Sequence, residues 1–102
     1  MRLPPALAAA ATPRILELLG DPPARVLELG FAGIHAVPLL LAGFDVVVVD
    51  DSPAARERAG AVSPEPPADR FDAVVAPEGT DLRGIDAERR VIVYADGSVL
   101  VE

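Results

Sequence analysis

The stretch DVVVVD, from Asp45 to Asp50, constrains the fold of this chain more than any other. Successive residues of a strand point to opposite faces, so a strand with one face in water alternates apolar and polar side chains. Four consecutive valines leave no face for solvent. Such a strand must be covered on both sides, as parallel strands of α/β domains are. RVLEL (Arg25 to Leu29) and FDAVVA (Phe71 to Ala76) are similarly short and apolar, and each is flanked by turn-forming residues.

Helical segments alternate with these strands. Pro5 to Leu19 is helical in composition, with Thr12-Pro13 predicting a fresh start in which Thr12 is the N-cap and Pro13 the first helical residue. Leu16 and Leu19 are expected to face the sheet, and Gly20 stops the helix. A second helix is predicted from about Gly33 to Ala42, with Pro38 weakening its first turns and Gly43 closing it. Ser52-Pro53 predicts a third helix through about Ala59, and Thr80 a brief fourth through about Glu88. The segment GAVSPEPPADR (Gly60 to Arg70) is too rich in proline for either element and reads as a loop. Last, RVIVYADGSVLVE contains Asp96-Gly97 between two β-rich runs, which predicts a hairpin with a type I′ turn and an antiparallel final strand.

Alternating helices and strands predict one mostly parallel five-stranded sheet in an α/β domain of three layers, with helices on both faces. The expected spatial order is second, first, third, fourth, fifth. Right-handed crossovers place the helix after the first strand on one face and those after the second and third on the other. The chain then reverses direction between the first and third strands, and open α/β sheets bind ligands at the carboxyl ends beside such a switch. Glu28, Gly30, Phe31, Asp50, Asp51 and the loop Ala76-Pro77-Glu78 belong to that edge.

A chain of 102 residues suffices for one domain, here an N-terminal helical segment (1–24) followed by sheet and helices (25–102). With 51% hydrophobic residues and a mean hydropathy of +0.35 it is apolar for so small a sphere, so a homo-oligomer or a bound partner is expected. The net charge of −7, with arginine as the sole cation, argues against nucleic acid and anionic membranes as partners. The absence of cysteine removes disulfides, zinc–thiolate sites and thiol catalysis, and suits a cytoplasmic location. The opening MRLPPALAAAATP is read as part of the first helix rather than a secretory signal, because Pro4-Pro5 breaks its short apolar run. No segment reaches the roughly 20 apolar residues that span a bilayer.

The residues VLELG…AGFDVVVVDDSP, followed by RFDAVVAPEG, resemble the class I S-adenosylmethionine-dependent methyltransferases over roughly Arg25 to Pro77. The resemblance implies a Rossmann-like fold and S-adenosylmethionine as cofactor. It implies that Glu28 helps hold the methionine end, that Asp50 binds the ribose hydroxyls, and that the loop after FDAVVA faces the transfer site. A carboxylate can accept both hydrogen bonds of a vicinal diol, and an acid about 20 residues beyond the glycine turn reaches the neighbouring strand end. Gly30 and Gly33 would let the ligand approach the backbone, with Phe31 and Asp51 beside it.

The chain departs from the family where E/D-x-G-x-G-x-G becomes Glu28-Leu29-Gly30-Phe31-Ala32-Gly33-Ile34. Phe31 enters the turn, where it would stack on a ligand or fill its space. The family's third strand and the carboxyl-terminal acceptor-site elements have no counterpart. Three readings follow: a small methyltransferase of unknown acceptor, a non-catalytic nucleotide- or partner-binding module, and an assembly subunit whose pocket Phe31 closes. A dinucleotide site would require G-x-G-x-x-G, which is missing. His35 reads as a helix residue, Glu78 as a solvated loop carboxylate and Tyr94 as a packing residue. Buried in its strand, Glu28 needs compensation from a ligand, an arginine such as Arg25, or backbone N–H groups.

Overall fold

A computed structural model of the chain describes residues 5–31, 33–49, 62–63 and 69–102. Two short helices, α1 (Pro5–Ala10) and α2 (Thr12–Leu19), precede β1 (Arg25–Leu29). Helix α3 (Ala36–Leu41) links β1 to β2 (Asp45–Val49). Then come β3 (Val62–Ser63), β4 (Arg70–Pro77), β5 (Asp86–Val93) and β6 (Val99–Val101). They form one sheet in the order β3-β2-β1-β4-β5-β6, in which only the β5–β6 pair is antiparallel.

This is the α/β architecture and strand order expected from the sequence, with one addition. Val62–Ser63 forms a two-residue strand parallel to β2, inside the segment read as a loop. Its neighbours are the prolines that argued against a strand, but the two residues that pair are a valine and a serine, neither of which lacks an amide donor.

The apolar runs of β1, β4 and β5 are covered on both faces, as their lack of alternation requires, whereas in β2 Val46 and Val48 are buried and Val47 and Val49 half-buried among the described residues. On one face Val26, Val46, Val48, Ala73, Val75, Val91 and Val93 pack with Ile15 and Leu19 of α2 and Ala36 and Leu39 of α3. Ile15, not Leu16, joins Leu19 at the centre of this layer, and Leu16 is only half-buried. On the other face Leu27, Leu29, Phe71, Val74, Ala76 and Ile92 are capped by Leu82, with Ile85 packed alongside.

No helix forms between Thr80 and Glu88, contrary to the sequence expectation. β4 and β5 are parallel and both eight residues long, and eight residues connect them. The connection must return along a strand of about 23 Å. Eight residues coiled as helix cover only about 12 Å, whereas an extended link reaches about 30 Å. The chain therefore runs back without a helix, turning at residues 77–80 and again at residues 82–85, and buries Leu82 against the sheet. The helix expected from Ser52 to Ala59 lies outside the described residues.

Helix α3 begins at Ala36 rather than near Gly33, because the preceding residues form tighter turns: Ile34 N–H donates to Phe31 C=O at 3.0 Å and Ala36 N–H to Gly33 C=O at 3.1 Å. Pro38 then falls in the first helical turn, where its missing N–H would have no intrahelical acceptor, so it costs the helix nothing. The terminal hairpin also differs in detail. Gly97 N–H donates to Tyr94 C=O and Tyr94 N–H to Ser98 C=O, both at 2.9 Å, which closes a three-residue loop with Gly97 at φ 87°. That is a turn followed by a left-handed glycine, not the two-residue type I′ connection.

Candidate functional site

The reversal in the order of strand addition falls at β1, which has β2 on one side and β4 on the other, both parallel to it. β1 and β2 run in register from Arg25↔Asp45 to Leu29↔Val49, so their carboxyl ends lie level. Asp50 and Asp51 follow Val49 directly in the sequence and lie outside the described residues. Beyond β1 the chain turns at Gly30 (φ 77°) and Gly33 (φ 81°), both in the left-handed region that favours glycine.

Glu28 belongs to the β1 face that α2 and α3 cover. Its side chain is fully buried, and its Oε1 accepts the backbone N–H of His35 at 3.2 Å. A backbone donor is thus one of the three compensations expected for this carboxylate. Arg25 is not. Its guanidinium lies 3.2 Å from Asp69 and 3.7 Å from Asp45 and stacks 4.9 Å over the Phe71 ring, at the opposite end of β1.

His35 is also fully buried, although the sequence marked it only as a helix residue. Its Nδ1 is 2.7 Å from Thr12 Oγ1, across 23 positions of sequence. Thr12 thereby gives its hydroxyl to a tertiary contact instead of the N-cap role expected of it. It is the first residue of α2, and Ala11 takes the N-cap position without a side-chain bond. Among the described residues Nε2 of His35 has no hydrogen-bond partner. Burial holds the imidazole neutral, lowering its pKa from 6.5 to about 4.

Phe31 packs its ring edge-on to His35, with centroids 4.6 Å apart and planes at 78°. It is 4% exposed and belongs to the core on the α2–α3 face. Gly30 is needed for a neighbour within the chain: a Cβ there would stand 2.9 Å from Cδ and Cγ of Pro77 at the end of β4. Glu78 is engaged as well. Its Oε1 accepts Ala95 N–H at 2.9 Å and its own N–H donates to Val93 C=O at 2.9 Å, pinning the β4 exit to the hairpin.

Glu28, Gly30, Phe31 and Gly33 are therefore brought together at the end of β1, and Thr12 and His35 join them from α2 and the turn before α3. Sequence reasoning missed the Thr12–His35 pair, because no local pattern links residues so far apart. Every polar side chain in this cluster is shielded from solvent, and it binds strand, turn and helix into one unit. Among the described residues no group of three or more His, Asp or Glu is placed to hold a metal ion. No helix among them is long and apolar enough to cross a membrane.

A depression of about 410 Å³ lies on the second face, between the β4–β5 link and the last strands, lined by Thr80, Leu82, Arg90, Ile92 and Tyr94 among others. A smaller one of about 220 Å³ lies at the amino-terminal ends of the strands, beside Asp21, Asp72, Glu88 and Arg89.

The chain matches no protein-family model, and it matches no curated protein. Its fold places it in the class of small α/β domains with a Rossmann-like strand order.

Proposed function

We propose that this chain is a Rossmann-like module that binds an adenosyl ligand, S-adenosylmethionine or S-adenosylhomocysteine. The observation that carries the reading is the level, in-register pairing of β1 and β2 beside the point where the sheet reverses. Asp50, immediately beyond Val49, is the residue proposed to take the ribose hydroxyls, with Asp51 beside it. Glu28 acts in this reading as the carboxylate that shapes the glycine turn. The net charge of −7 keeps nucleic acid and anionic lipid outside the proposal.

Calorimetric titration tests it. Both sulfur nucleosides should give saturable heat, NAD and ATP none, and Asp50→Ala should abolish the signal while leaving the circular dichroism unchanged. Release of S-adenosylhomocysteine in an acceptor screen would separate an enzyme from a binding module.

Two observations favour a second reading, an assembly or partner-binding module without a nucleoside site. Phe31 is in the core, and the space in front of Gly30 is taken by Pro77. Silence with both sulfur nucleosides would leave this reading in place.

A further inference from the structure

We propose that the free edge of β6 is a homodimer interface, in which two copies pair antiparallel about a two-fold axis through Leu100 and their sheets join into one. Among the described residues β6 ends the strand order and pairs with β5 alone. An edge strand offers unpaired backbone groups to any other chain, and monomers blunt such edges by keeping them short or with proline or charge. The opposite edge strand, β3, runs directly into the sequence Pro64-Glu65-Pro66-Pro67. β6, though only three residues long, carries neither proline nor charge. Its residues are Val99, Leu100 and Val101, and Leu100 is 54% and Val101 43% exposed.

Backbone parity selects which groups face outward. Tyr94 N–H donates to Ser98 C=O and Glu102 N–H to Arg90 C=O, so the 94/98 and 90/102 pairs are hydrogen-bonded. Alternation along an antiparallel ladder makes Ile92/Leu100 bonded too, and turns the amides and carbonyls of Val99 and Val101 away from β5. A two-fold axis through Leu100 sets Val99 against the partner's Val101 and Val101 against the partner's Val99. These are the residues whose free groups can exchange hydrogen bonds.

The side chains agree with this register. On the α2 face the row Val91–Val101 of one copy continues into the partner's Val99 and the partner's Val93. On the other face Ile92–Leu100 meets the partner's Leu100 and the partner's Ile92. Beside it Arg90–Glu102 runs on to the partner's Ser98 and the partner's Tyr94, so each Glu102 lies between an arginine and a hydroxyl. Moving the axis to Val99 would preserve the hydrogen-bond parity but set Asp96 opposite the partner's Glu102, two carboxylates in one cross-strand pair. Charge therefore favours the Leu100 centre. The apolar outer side of α3, Val37, Leu40 and Leu41, has no comparable register to match.

Light scattering or sedimentation equilibrium on the full chain tests the proposal. The expected mass is twice 10.6 kDa. Leu100→Glu should halve it with unchanged circular dichroism, because two carboxylates then face each other at the axis, and Leu41→Glu should leave it unchanged. The chain has no cysteine, so Leu100→Cys supplies one thiol. At a non-hydrogen-bonded antiparallel pair the two Cα atoms stand about 4.5 Å apart, within disulfide range. Oxidation should then convert the chain to a covalent dimer, while Leu41→Cys should not link. A monomeric wild type, a dimer that survives Leu100→Glu, or one dissociated by Leu41→Glu would overturn the proposal.

Discussion

The carboxylate of Glu28 accepts the backbone N–H of His35 at 3.2 Å, fastening the tip of β1 to the turn that opens α3, with both residues fully buried. Removing it leaves a buried donor orphaned and opens space in the core. Glu28→Ala should lower unfolding stability by about 3 kcal/mol, and Glu28→Gln, which keeps an acceptor of the same shape, by distinctly less. Urea unfolding of the two variants measures the difference.

His35 makes stability depend on pH. Its folded pKa of about 4 lies below the ordinary 6.5 because burial disfavours the imidazolium. Between these values the unfolded chain binds the proton more readily than the folded one. The contribution is thus fully present above pH 6.5 and declines as pH falls towards about 4, where it levels off. The loss amounts to roughly 3 kcal/mol by linkage. Unfolding free energies measured from pH 7.5 to pH 4 should fall more steeply for the wild type than for His35→Gln, whose carboxylates titrate alike. Parallel curves would contradict the assignment.

Gly30 and Pro77 touch where a side chain cannot stand. Gly30→Ala meets both an unfavourable φ of 77° and a contact of 2.9 Å, and should destabilise by about 2–3 kcal/mol. Pro77→Ala removes the contact but not the backbone strain. In a double-mutant cycle the Gly30→Ala penalty should therefore shrink to about 1 kcal/mol in the Pro77→Ala background.

Phe31 discriminates core from ligand contact. As a core residue packed on His35 it should cost about 3–4 kcal/mol when cut to alanine, with no ligand present. A Phe31→Ala variant as stable as the wild type in thermal melts would show that the ring is not a core residue.

Arg89 reaches from β5 to the carbonyls of Leu18 and Leu19, at 3.3 and 3.2 Å, and so terminates α2 from outside the helix. Because the guanidinium is exposed, Arg89→Ala should cost only about 1 kcal/mol. The loss should show as faster amide hydrogen exchange in the last turn of α2.

Much of the architecture is written locally. The valines of β2, the flanking glycines and the Asp96-Gly97 turn are visible as patterns of neighbours, and strand order followed from them through the rules of crossover connections. The misplacements have local causes too. Thr12 has the chemistry of an N-cap, but its hydroxyl found a partner on another element. The Thr80–Glu88 segment can begin a helix, but the distance it must cover forbids one. The candidate site was legible only as an edge: Glu28, Gly30, Phe31 and Gly33 do gather at the end of β1, whereas their contacts could not be read in advance.

The sequence by itself determined an α/β sheet whose central strands are apolar on both faces, because this follows from periodicity and turn chemistry within a few residues. Only the tertiary structure decided what the polar groups of the first turn do. Whether Glu28 meets a ligand, an arginine or an amide depends on which atom is brought within about 3 Å of it. Here that atom is the His35 amide, delivered by a tight turn, while Thr12, many residues away in the chain, claims the imidazole. Hydrogen bonds and van der Waals contacts act over ångströms, and separation along a chain does not specify distance in space.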